Sequence, residues 1–94
     1  MAPVKRLVLD VLKPHDPKMV PFTEELCTET SVEGVTSKLV EIEENVRTIR
    51  VTVEGDDLDV AAIEARIAEL SGSVHSVDEV SCGTGVGEDP YVTD

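Results

Sequence analysis

Thr48-Ile49-Arg50-Val51-Thr52-Val53-Glu54 decides the fold class. Ile49, Val51 and Val53 fall on one side of an extended chain, while Thr48, Arg50, Thr52 and Glu54 fall on the other. That is the two-residue period of a strand with one buried and one polar face. Strands of this kind belong to antiparallel sheets, because fully parallel sheets bury both faces. Upstream, Thr36–Glu43 reads as another strand, with Lys38, Val40 and Ile42 on one side, and Glu44–Arg47 turns the chain into a hairpin. Downstream, Gly55-Asp56-Asp57 ends the strand. A helix over roughly Asp59–Leu70 follows, capped by aspartate, with Val60, Ile63, Ile67 and Leu70 at helical spacing and Gly72 just past its end.

The flanks repeat the scheme. Val4–Leu12 is a strand with Leu7, Leu9 and Val11 on one face and Arg6, Val8, Asp10 and Leu12 on the other, which suits a central position. Lys13-Pro14-His15-Asp16-Pro17 is a loop, and Asp16 before Pro17 has the form of a helix N-cap with proline at the first helical position. The helix runs to about Thr30 and buries Met19, Phe22, Leu26 and Cys27. Pro21 disturbs its first turn or moves its start towards residue 20. Glu33-Gly34 makes a turn, and Val74–Val80 is the last strand. Alternation there leaves the inward side open, because Val74 and Val80 compete with Val77.

The order is β-α-β-β-α-β. With right-handed crossovers it gives an α+β, ferredoxin-like domain over residues 1–82, its antiparallel sheet ordered 4-1-3-2 with both helices on one face. Residues 83–94 read as a flexible acidic tail. The uncovered sheet face would carry Val8, Leu12 and Leu39 among Asp10, Arg50 and Thr52, a mixed surface suited to contact between copies.

Ninety-four residues make one domain. With 20 acidic and 8 basic residues the formal charge is −12, so phosphate backbones and anionic membranes are repelled, and neither nucleic acid nor membrane is an expected partner. A surface of this kind suits a salt-rich, halophilic interior, since the Debye length falls to about 3 Å in 1 M salt. No signal peptide or apolar span is visible. Cys27 and Cys82 form no disulfide framework, so a cytoplasmic location with reduced thiols is expected.

Leu9-Asp10-Val11-Leu12-Lys13-Pro14-His15, Gly34-Val35, Val53-Glu54-Gly55 and His75-Ser76-Val77-Asp78-Glu79-Val80 occur in that order. Over about residues 4–82 the chain resembles the archaeal domain-of-unknown-function family 211. The resemblance implies the ferredoxin-like fold and a homo-oligomer such as a ring, and no established activity. Pro21 and the acidic tail depart from the family pattern.

Antiparallel pairing of the first and last strands brings the end of one beside the start of the other. Lys13 and His15 are thereby expected near His75 and Ser76, with Asp10, Asp78 and Glu79 close by. The two histidines and these carboxylates are ingredients of a divalent-cation or small-ligand site. Without any ligand, Asp78 and Glu79 are explained as charges guarding an edge strand, and Lys13 as pairing with a neighbouring acid or helping to cap a helix. The expected role is a non-catalytic homo-oligomeric binding or regulatory module, holding a cation or small polar ligand at subunit junctions. Two alternatives are a metal-assisted enzyme using His15 or His75 with Asp10 or Asp78, and an assembly partner of another protein docking through the tail around Tyr91. Metal-chaperone versions of this fold need a CxxC in the first loop, and RNA-binding versions need aromatics on the open face; neither is present.

The charge balance yields a first prediction. Raising KCl from about 0.1 M to about 3 M will increase the denaturation midpoint, because screening relieves self-repulsion. A midpoint indifferent to salt contradicts the halophilic reading.

Overall fold

A computed structural model describes residues 2–84. The elements are β1 (Val4–Lys13), α1 (Met19–Leu26), β2 (Gly34–Ile42), β3 (Arg47–Glu54), α2 (Val60–Glu69) and β4 (Ser73–Cys82). They form one antiparallel sheet in the order β2-β3-β1-β4, the expected ferredoxin-like arrangement. Among the described residues no helix is long and apolar enough to cross a membrane. Of the tail expected over 83–94, only Gly83 and Thr84 are described, and Tyr91 lies outside the described residues.

The alternation of β1 and β3 builds the core. Leu7, Leu9 and Val11 face Val53, Val51 and Ile49 across the strand pair. Phe22 and Leu26 of α1 and Ile63 and Ile67 of α2 close over them, all with at most 1% of their surface exposed. Burying each such side chain is worth roughly 1.5–3 kcal/mol. Leu58, which the sequence pattern left in a loop, also joins the core. Its amide donates to the Val4 carbonyl at 2.9 Å, stitching the β3–α2 connection to β1.

Asp59 caps α2, as expected, by accepting from the Ala62 amide at 3.1 Å. The cap of α1 differs from expectation. Lys18, not Asp16, is the N-cap, and it makes no side-chain capping bond. Pro21 then stands in the first turn, where amides have no intrahelical acceptor, so its missing N–H costs nothing. The first helical bond runs from the Phe22 amide to the Lys18 carbonyl at 3.0 Å. Cys27, expected on the buried stripe, is exposed because α1 ends at Leu26 and Cys27 is its C-cap. Gly34 starts β2 instead of sitting in a turn.

Strand β4 reaches its core side by bulging. Val80, Val77 and Val74 lie opposite Leu7, Leu9 and Val11, and register shifts fall between Val8 and Leu9 and between Asp10 and Val11. Valines three apart thereby share one face, which strict alternation forbids. A shift between Leu39 and Glu41 affects β2 similarly. Leu39 pairs with Ile49, on the helix side, and so does not belong to the open face where the sequence pattern put it.

Gly55 is buried where the β3–α2 loop passes over Ser31. A Cβ there would overlap the Ser31 carbonyl oxygen and stand 2.7 Å from Leu58 Cδ2. Gly55→Ala should therefore destabilise the protein by about 2 kcal/mol. Denaturant unfolding with an unchanged slope and a lowered midpoint is expected; an unchanged midpoint would contradict the close packing.

Candidate functional site

The residues singled out from the sequence separate into two groups on opposite sides of the sheet. Asp10, at an even position of β1, faces the open side and pairs across the strands with Arg50 and Ser76. Arg50 Nε lies 3.2 Å from Asp10 Oδ1 and 3.7 Å from Asp78 Oδ2. The Ser76 hydroxyl donates to Asp78 Oδ1 at 2.8 Å. A second ladder runs beside it: Arg6 Nη1 meets Glu54 at 2.8 Å and Arg6 Nε meets Glu79 at 3.0 Å. Val8, opposite Thr52 and Glu79, is only 6% exposed. The open face is consequently a lattice of ion pairs with little apolar surface. Exposed pairs of this kind are screened by solvent and contribute little, so they order the face more than they stabilise the fold.

The Ser76 hydroxyl and the neighbouring Asp10 side chain, with Arg50 and His75 adding their charge, hold the Asp78 carboxyl below the ordinary carboxylate range against the opposing cost of desolvation.

Lys13 and His15 go elsewhere. Lys13 shares the parity of Leu7, Leu9 and Val11 and is 1% exposed. Its ammonium donates to the Pro14 carbonyl at 2.8 Å and to the Pro17 carbonyl. Two carbonyls thereby offset part of the cost of taking a charge out of water. Burial and then the Arg47 guanidinium push the Lys13 pKa down, Lys18 adds to this, and Asp16 opposes it. Lys13, His15, Lys18 and Arg47 ring a cavity of about 260 Å³ whose apolar walls are Met19, Leu39 and Ile49. No β4 residue lines it. The expected meeting of His15 with His75 therefore does not occur in this cavity. Among the described residues there is no group of three or more His, Cys, Asp or Glu side chains that could hold a metal ion.

Sequence reasoning missed Lys18, Met19 and Arg47 as members of one site. The available signal was the loop itself, which gathers Lys13, His15 and Lys18 within six residues of a chain poor in basic side chains.

A depressed carboxyl pKa stabilises the fold above the unfolded-state value, and that stabilisation is lost as pH falls through the folded-state value. Between about pH 5 and pH 3 the wild-type midpoint should fall more steeply than that of Asp78→Asn, which has no charge to lose there. Parallel pH curves for the two proteins would contradict the ladder.

Comparison with known proteins adds lineage. The chain is 37% identical over 86 residues to the uncharacterized protein MJ0319 of Methanocaldococcus jannaschii, covering 92% of this chain and 89% of that protein. The family model for DUF211, described as uncharacterized ArCR, matches residues 5–93. That span includes most of the segment set apart above as an acidic tail, so the family pattern extends through it. By sequence, over nearly its whole length, the chain belongs to the DUF211 family.

Proposed function

We propose that this protein is a non-catalytic binding module that assembles with copies of itself through the two edges of its sheet. The supporting observation is where apolar surface is left exposed. Leu39, Val40 and Ile42 on β2 are 45–58% exposed, and Val77 and Val80 on β4 are 51% and 53% exposed. These strands are the opposite edges of the sheet. Between copies, β2 and β4 run antiparallel when the sheet is continued edge to edge, so one apolar edge can cover the other in a head-to-tail contact. Such contacts generate rings when the rotation closes. The register shifts in both edge strands limit backbone pairing, so side-chain packing carries the contact.

A non-catalytic role is favoured by how the polar side chains are engaged. The Ser76 hydroxyl is committed to Asp78, and the Thr23 hydroxyl lies 2.7 Å from the Met19 carbonyl and 2.6 Å from Ser37 Oγ. Asp10 is tied to Arg50. The acidic surplus fits a salt-rich cytoplasm, where screening lets copies of charge −12 approach one another.

Sedimentation and light scattering in about 2 M KCl should report a defined oligomer at micromolar concentration. Val77→Asp with Val80→Asp should dissociate it, whereas Val20→Asp, on the exposed side of α1, should not. A monomeric wild type, or an oligomer indifferent to the β4 changes, would overturn the proposal.

A further inference from the structure

We propose that the cavity at the end of β1 binds a small phosphate monoester, its phosphate held by Arg47, Lys18 and His15 above the Lys13 ammonium and its short apolar group resting on Met19, Leu39 and Ile49. All lining residues come from one copy, so the proposal does not rest on self-assembly.

The distribution of the basic residues carries it. Acidic side chains outnumber basic ones by 20 to 8, so a lysine or arginine without a carboxylate neighbour is unexpected. Outside the cavity, Lys5, Arg6, Arg50 and Arg66 each have a carboxylate within 4 Å, and only Lys38, exposed on an edge strand, has none among the described residues. Inside it, neither Lys13 nor Arg47 forms an ion pair among the described residues, and Lys18 reaches only Asp16, at 3.8 Å. Three of the eight fixed cations thus converge where the chain supplies almost no counter-charge.

Their convergence is costly, and the cost is visible at Lys13, whose charged form is disfavoured by burial and by Arg47. An anion in the cavity relieves this repulsion, and a dianion relieves it more than a monoanion does. Arginine presents a planar fork that fits phosphate oxygens, and lysine adds a point charge. Apolar walls give the ester group a dry surface. At about 260 Å³ the cavity lies just below the roughly 300–1,000 Å³ of sites for drug-sized ligands, which limits the guest to a compact molecule.

The test titrates the full-length protein with butyl phosphate, inorganic phosphate and pentanoate, following backbone amide shifts at Met19, Leu39 and Ile49. Saturable shifts are expected, with butyl phosphate the tightest of the three. Loss of a charge-assisted contact should weaken it about tenfold in Arg47→Gln and also in Lys18→Gln, an exposed site whose change leaves the fold intact. Lys38→Gln, which removes a cation outside the cavity, should change affinity less than about twofold. No saturable shift, pentanoate binding more tightly than butyl phosphate, or equal weakening by Lys38→Gln and Arg47→Gln would each overturn the proposal.

Discussion

The parity of side chains along β1 is the constraint on which the rest of the structure depends. Leu7, Leu9 and Val11 must meet Phe22, Leu26, Ile63 and Ile67, so the odd positions from residue 7 onward are turned inward. Residue 13 inherits that parity and is the last residue of the strand, which delivers a lysine to the rim of the core. The even positions, Arg6, Val8 and Asp10, are turned outward by the same rule. A one-residue slip would exchange the two sets, at the cost of the whole core. The separation of the polar residues into two groups is therefore a consequence of packing and needs no further explanation.

Each group answers an electrostatic problem differently. On the open face, scarce arginines are each shared between two acids, Arg6 between Glu54 and Glu79 and Arg50 between Asp10 and Asp78. Exposed carboxylates are neutralised locally, and Val8 is sealed beneath. At the end of β1 the situation is reversed: Lys13 and Arg47 have no ion-pair partner among the described residues, Lys18 has only Asp16 at 3.8 Å, and the backbone of the proline loop supplies the acceptors that Lys13 needs. A polypeptide with surplus acid had carboxylates to spare for that corner. Their scarcity there, with Asp16 the one carboxylate in reach of Lys18, is what suits the corner to the anion proposed above.

Much of this fold was legible in the sequence because its central strands obey simple rules. The alternation of Thr48–Glu54, the aspartate before α2 and the chain order led to the topology found. What escaped was governed by irregularity. Bulges put Val74, Val77 and Val80 on one face, and a bulge leaves no periodic trace; Leu39 follows regular alternation opposite Ile49 and was assigned to the wrong side. Pro21 left two options, a disturbed first turn or a start nearer residue 20, and the helix takes the second: it begins at Met19, so Pro21 sits among amides that have no partner anyway. Of the proposed site residues, Asp10 and Ser76 are level across the strands by register, and Asp78, at the register shift, joins them through the Ser76 hydroxyl and Arg50. Lys13 and His15 were misgrouped because pairing predicts which residues are level across strands but ignores the side to which each points. Arg47 went unnoticed, since its place opposite Lys13 emerges only from the register of β1 with β3.

Native-state reductive methylation, read by mass spectrometry at each lysine, tests that parity most directly. Lys18 and Lys38 should be modified rapidly, while Lys13, enclosed and bound to the Pro14 and Pro17 carbonyls, should stay unmodified until the protein is unfolded. Modification of Lys13 at the rate of Lys18 in the folded protein would show that the strand presents it to water, and the division into two sides of the sheet would fall.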